Sequence, residues 1–153
     1  MNRIAGLLPR NHVAVGVDAA TKRDLFGAVA DLFAASGDVG RNAVVDALAA
    51  REKLGSTGLG QGIAIPHGRI RGLKDARGAF VRLAQPIPFD APDGRPVNQV
   101  FVLLVPEQAT EQHLELLSEL AQMFSERAFR ERLAASADAA SAWDAIRGWA
   151  PVA

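Results

Sequence analysis

Apolar residues recur at helical spacing in three long stretches of this chain. Leu25, Val29, Leu32 and Phe33 form one stripe, which predicts a core-facing helix ending near residue 35. Asp18 and Thr21 are its candidate N-caps. Gly37 is its stop, because a helix C-terminus favours a residue without a side chain. Val44, Val45, Leu48 and Ala49 mark a second amphipathic helix over 42–53. Leu114, Leu117, Leu120, Ala121 and Phe124 mark a third, over 110–127, with these positions on one inward side. Segments 129–133 and 137–149 also read as helical. Ile4, Leu7 and Leu8 make one short turn, which Pro9 ends.

The remaining apolar positions have strand character. Val13, Val15 and Val17 alternate. Short apolar runs follow at 63–65, 79–83 and 100–105. The last is apolar at every position, which suits a strand covered on both faces. Segment 85–96 holds Pro86, Pro88, Pro92, Gly94 and Pro96 and reads as a loop. Segment 55–62 is so rich in glycine that it reads as irregular. Helices and strands mix throughout, so the expected fold class is α/β. It is a single-domain layered sandwich over 1–153, a mixed β-sheet flanked by helices on both faces.

Bulk properties narrow the function. The chain has 153 residues, about half of them apolar, enough for one core of ordinary size. Lys and Arg number 17, as do Asp and Glu. That balance gives no general electrostatic pull toward nucleic acid or an anionic membrane. Cysteine is absent, which removes disulfides, thiolate catalysis and Cys-ligated metals and is compatible with a reducing cytoplasm. The longest apolar run is too short to cross a bilayer as a helix, and residues 1–8 lack the apolar core of a signal peptide. A cytoplasmic protein without membrane insertion is expected.

Candidate chemistry concentrates in 51–69, REKLGSTGLGQGIAIPHGR. A helix end, a glycine-rich loop bearing hydroxyls, a short strand and a histidine follow in close order. Neutral imidazole is a nucleophile available near neutral pH. Attack on phosphorus would need positioning and cationic or N–H donors around the transferred group. Pro66 fixes the backbone beside His67, and Gly68 leaves room for a partner to approach. The glycine loop can turn N–H groups toward an anion, and Ser56 and Thr57 add hydroxyl donors. Arg51 can supply a guanidinium, whose charge-assisted hydrogen bonds contribute roughly 1.5–3 kcal/mol each. The bland reading stands beside this one. A histidine after a strand is more often structural, glycine clusters usually mark turns, and arginine near a helix C-terminus is favoured by the dipole alone.

The second segment is 106–118, PEQATEQHLELLS. Thr110 is a candidate N-cap, and His113 falls where a capping box puts Glu or Gln. The first turn of a helix attracts phosphate and suits a neutral, donating histidine. Taken alone, His113 reads equally as a solvent-facing residue of a helix turn. His12 has no comparable setting and is given no role. Glu107 and Glu111 are explained by the first-turn preference for acids. No HxxxH, HExxH or calcium-loop pattern occurs, so no metal is expected. No Walker A loop, dinucleotide fingerprint or Gly-x-Ser-x-Gly elbow is present, and no cofactor is expected. Trp143 and Trp149 read as packing or a partner face.

These two segments resemble a known family. Arg51 through Gly58, then Gly62-Ile63-Ala64-Ile65-Pro66-His67-Gly68, resembles the signature of type-2 IIA domains of the phosphotransferase system, the fructose and mannitol class. Leu103 through Pro106, His113-Leu114 and Leu116-Leu117-Ser118 resemble that family's other motif. The likeness runs over about 4–146. Within the family it is nearest the nitrogen-regulatory branch, through 62–69, Phe80-Val81-Arg82-Leu83, 86–91 and Asp93.

The resemblance implies a mixed sheet flanked by helices, a phosphohistidine at His67, and Arg51 and His113 flanking the phosphoryl group with Ser56 and Thr57 nearby. It implies a histidine phosphocarrier of the HPr or NPr type as donor, itself charged by Enzyme I from phosphoenolpyruvate, and attachment at Nε2. One departure is Asn98, where some relatives have an acidic residue, which bears on local charge. The expected function is a phosphocarrier whose phosphorylation state regulates target proteins. The alternative is a sugar-uptake IIA that passes phosphate to a fructose or mannitol IIB domain, and no IIB or membrane segment is attached here. A third reading, a pure binder with an unreactive His67, has no need of Arg51, His67 and His113 together.

Overall fold

A computed structural model describes residues 2–37, 39–108 and 110–150. Met1, Asp38, Ala109 within the second motif, and the last three residues of the expected 1–153 domain lie outside them. The described residues build a six-stranded mixed sheet with helices on both faces. The strands are β1 (Val13–Val17), β2 (Gly58–Gly60), β3 (Ile63–Ala64), β4 (His67–Ile70), β5 (Arg77–Ile87) and β6 (Val97–Pro106). The helices are α1 (Lys22–Ala35), α2 (Arg41–Glu52), α3 (Glu111–Ser125), α4 (Arg127–Ala135) and α5 (Ala139–Arg147). Short 3-10 turns at Ala5–Leu7 and Arg10–His12 precede β1.

The sheet runs β1-β5-β6-β3-β2, with β4 also on β6. β5 and β6 pair antiparallel, whereas β1 on β5 and both β3 and β4 on β6 are parallel. The apolar run in β6 decides the layering. Val100, Val102 and Leu104 pack with α1 and α2, while Phe101, Leu103 and Val105 pack with α3, α4, α5 and the N-terminal turn. Side chains on a strand alternate between faces, so each layer receives half the run. Each such residue contributes about 1.5–3 kcal/mol by leaving water.

Helix ends follow local chemistry. Thr21 caps α1 by accepting the Asp24 N–H (3.1 Å), and Gly37 follows the helix with φ of 76°. Asp138 caps α5 by accepting the Ser141 N–H (2.8 Å). Two sequence expectations need correction. The glycine segment is not wholly irregular, since Gly58–Gly60 forms an edge strand antiparallel to β3. The expected loop over 85–96 begins later, because β5 runs to Ile87 and pairs it with Val97. Pro86 is tolerated there because it sits in the shifted stretch between Arg82 and Ile87, where no ladder donor is needed.

The tryptophans pack. Trp143 Nε1 donates to the Leu8 carbonyl (3.0 Å) and buried Trp149 donates to Glu126 (3.1 Å). His12 is fully buried, with Nδ1 bonded to the Gly78 carbonyl (3.0 Å) and Nε2 to Ser36 Oγ (2.6 Å). Its role is to join the segment before β1 to β5 and to the end of α1.

Candidate functional site

His67 opens β4, and its position follows from an interrupted strand. Ile63 pairs with Gln99 and His67 with Leu103, so β3 and β4 hold one register on β6 across Ile65 and Pro66. Pro66 has no N–H to lose on an edge, and its carbonyl still accepts the Leu103 N–H (3.0 Å). Alternation then turns Gly68 and Ile70 toward α2 and leaves His67 and Arg69 on the α3 side. Gly68 is buried beneath α2. A Cβ there would lie 3.0 Å from Ala47 Cβ and 3.2 Å from the Ala47 carbonyl carbon. The space expected to admit a partner is thus filled by the protein's own helix, and the glycine lets α2 approach β4.

Helices α2 and α3 bring the other groups in. The last turn of α2 supplies Arg51, and the first turn of α3 supplies His113. Both line a cleft of about 500 Å³ with His67, Arg69, Leu54 and Leu114. A smaller cleft of about 200 Å³ shares Arg51, His67 and Leu117 and is closed by Ser56, Thr57, Gly58 and Leu59. Arg51 is steadied by donating from Nη1 to the Gly55 carbonyl (2.8 Å). His67 is half-buried, accessible from the cleft.

Hydrogen bonds assign the two ring tautomers. His67 Nδ1 lies 3.0 Å from the Ile65 carbonyl. A carbonyl only accepts, so Nδ1 carries the proton and Nε2 of the neutral ring keeps its lone pair. His113 is the reverse. Its Nδ1 accepts the Thr110 backbone N–H (2.9 Å), which is the capping-box bond with histidine in place of an acid or amide. Its proton therefore sits on Nε2. One ring offers a nucleophile and the other a donor.

Arg51, His67, His113 and Gly68 meet around the larger cleft, and Ser56 and Thr57 border the smaller one. Neither hydroxyl proton is directed at His67. Ser56 Oγ donates to the Phe89 carbonyl and Thr57 Oγ1 to Glu52 (2.8 Å). Both side chains shape the loop. Asn98 lies five residues before Leu103, the partner of His67 in β6, so roughly 16 Å along the strand at the usual rise. It lines neither cleft. Among the described residues no cluster of three or more His, Cys, Asp or Glu is placed to hold a metal ion.

Sequence reasoning missed Arg69, Glu52 and an apolar rim. Leu54 is 85% exposed, Leu114 59% and Leu59 46%, and these are the exposed large apolar side chains among the described residues. Each lines one of the two clefts. Leu120 and Phe124 face inward as expected, joined by Leu116 and Met123, but Leu114 and Ala121, expected on the same side, are exposed and Leu117 is only half-buried. The signal was present in α3, whose apolar arc is too wide for one buried stripe.

Half-buried His67 thus stands at a sheet edge, in one cleft with Arg51 and His113. Residues 6–148 match the family described as "Phosphoenolpyruvate-dependent sugar phosphotransferase system, EIIA 2", and the chain belongs to that family. It is a phosphocarrier component of the phosphotransferase system. It is 43% identical over 134 residues to the nitrogen regulatory protein of Pseudomonas aeruginosa, covering 87% of each chain. The crystal structure of the nitrogen regulatory protein IIA-Ntr from Neisseria meningitidis superposes with a TM-score of 0.88 at 46% identity, covering 95% of this chain and 99% of that one. The fructose-specific EIIA component of Haloferax volcanii is 36% identical over 131 residues, covering 85% of each.

Proposed function

We propose that His67 accepts a phosphoryl group on Nε2 from a histidine phosphocarrier of the HPr or NPr type, itself charged by Enzyme I from phosphoenolpyruvate. The observation that carries this is the Nδ1–H bond from His67 to the Ile65 carbonyl, which leaves Nε2 for the cleft lined by Arg51 and His113. In the transfer, the Nε2 lone pair of His67 attacks phosphorus and a new N–P bond forms. The donor's N–P bond breaks, and its electron pair returns to the donor imidazole. Charge on the transferred oxygens is met by the Arg51 guanidinium, the His113 Nε2–H and the positive end of α3. Gly68, Ser56 and Thr57 act by shaping the backbone around that group.

The donor is a protein, which fits the exposed rim of Leu54, Leu59 and Leu114 around the histidine. Apolar patches of this kind mark interaction surfaces. The whole chain acts as one IIA domain in the cytoplasm. Its likeness to nitrogen regulatory proteins supports the regulatory reading, in which the phosphorylation state of His67 governs binding to target proteins. The Haloferax relative supports a second reading, in which the phosphate passes to a fructose or mannitol IIB domain.

With phosphoenolpyruvate, Enzyme I and the carrier, the protein is expected to gain one acid-labile, base-stable phosphate. His67→Ala should abolish labelling while leaving the circular dichroism spectrum unchanged. Labelling that survives would place the phosphate elsewhere. Offering the phosphorylated protein to a sugar-specific IIB separates the two readings, because the regulatory one expects no transfer.

A further inference from the structure

We propose that Glu52 is a positioning residue for His67, acting through Thr57 and Ile65. The inference rests on His67 being the acceptor. Glu52 stands beside Arg51 at the end of α2, yet its side chain turns away from the cleft and is only 7% exposed. Its Oε1 accepts the Thr57 N–H (3.0 Å) and its Oε2 accepts the Thr57 hydroxyl (2.8 Å). The Thr57 carbonyl accepts the Ile65 N–H (3.0 Å). The Ile65 carbonyl accepts from His67 Nδ1 (3.0 Å). An unbroken series of hydrogen bonds thus runs from a buried carboxylate to the back of the reacting ring. Lys22 anchors its far end, with Nζ 3.0 Å from Glu52 Oε1 and 4.6 Å above the Phe89 ring.

The coupling is mechanical. The N–H and C=O of Thr57 belong to different peptide groups, as do those of Ile65, so no conjugated path carries polarisation along the series. What passes along it is position. Ile65 lies between β3 and β4 and outside both strands, and Thr57 is the loop residue that its N–H meets. Charge-assisted bonds to a carboxylate are the stronger kind, so Glu52 fixes Thr57, Thr57 fixes Ile65, and the Ile65 carbonyl fixes both the rotation and the tautomer of His67. Without that acceptor the ring proton redistributes to Nε2 and removes the nucleophilic lone pair. Thr57, whose hydroxyl faces Glu52, is thereby accounted for in the site without touching phosphate.

The test uses Glu52→Gln, Thr57→Val and Thr57→Ser in the full chain, each checked for folding by thermal denaturation. The first readout is the pair of imidazole ¹⁵N shifts of His67 in unphosphorylated protein. The second is the rate of phosphate uptake from the charged carrier. Wild type is expected to show protonated Nδ1 and unprotonated Nε2. Thr57→Val and Glu52→Gln should add an Nε2–H population and slow uptake by about 10- to 100-fold, as a misplacement of about an ångström does. KM for the carrier should be unchanged. Thr57→Ser, which keeps the hydroxyl, should restore both. A purely structural tie would lower the melting temperature and leave the ring signature alone, and that result overturns the proposal. So does an altered ring with wild-type uptake, or slowed uptake with an unaltered ring. If Glu52→Gln does not fold, the Thr57 pair decides. If wild type takes no phosphate at all, the proposed function fails, while the ring shifts still decide whether Glu52 positions His67.

Discussion

His113 caps α3 with one ring nitrogen and leaves the other for the cleft. Its Nδ1 accepts the Thr110 N–H at the start of α3, and this bond places the remaining proton on Nε2, in the cleft with His67. Loss of a donor aimed at developing charge typically slows a reaction by about 10²–10³-fold. His113→Ala is therefore expected to slow phosphate uptake by about that factor without removing the attachment point. His113→Gln should recover part of the rate, because its amide oxygen can accept the cap bond while its NH₂ donates. Stopped-flow labelling of the three proteins checks the order. The residue type and its place in the first turn were legible in the sequence. The tautomer was not, because it depends on which backbone group meets which nitrogen. The same limit applied to Ser56 and Thr57. Their hydroxyls were visible as donors, but the acceptors that take them, Phe89 and Glu52, are chosen by folding.

At the scale of elements, the site is the meeting of a helix end, a helix start and an edge strand. Arg51 arrives at the C-terminus of α2, His113 at the N-terminus of α3, and His67 on β4 between them. The same elements carry the exposed rim. Leu54 follows α2, and Leu114 and Leu117 form a second apolar stripe on α3 beside the buried one. Leu54→Asp and Leu114→Asp are expected to raise KM for the charged carrier by roughly tenfold each, a loss of about 1.4 kcal/mol in binding. Melting temperature should hardly move, because both side chains are exposed in the free protein. A kcat loss at constant KM would instead mean that the rim serves the chemistry. The helices were readable from periodicity and β6 from its unbroken apolar run. The edge strand β2 was not, because a three-residue glycine strand has no hydrophobic alternation and exists only through its pairing with β3.

For the whole molecule, two carboxylates that tie loops and helix ends together are expected to contribute to the pH dependence of stability in acid. The Gln61 N–H, and then the Arg95 N–H, hold Asp93 below its ordinary value of 3.8. The Ser141 N–H does the same for Asp138 at the start of α5. A carboxyl with a lowered folded pKa stabilises the native state above its unfolded value, and that stabilisation is lost as pH falls through the folded value. The Asp93→Asn, Asp138→Asn double variant should melt below wild type at neutral pH. The gap should close as pH falls below 3.8. Melting curves taken stepwise into acid check this. A gap that persists at the acid end would mean that the substitutions act through packing.

Local order along the chain determined the main helices and the doubly covered central strand and put His67 forward as the candidate acceptor, because periodicity, caps and motif spacing are short-range properties. The tertiary structure decided everything that depends on a second segment arriving. It buried Gly68 under Ala47, moved Asn98 away from the site, turned Leu114 outward and joined Glu52 to His67 through residues 57 and 65. Hydrogen-bond partners and exposed faces are relations between distant segments. They come into being only when the two helical layers close on the sheet.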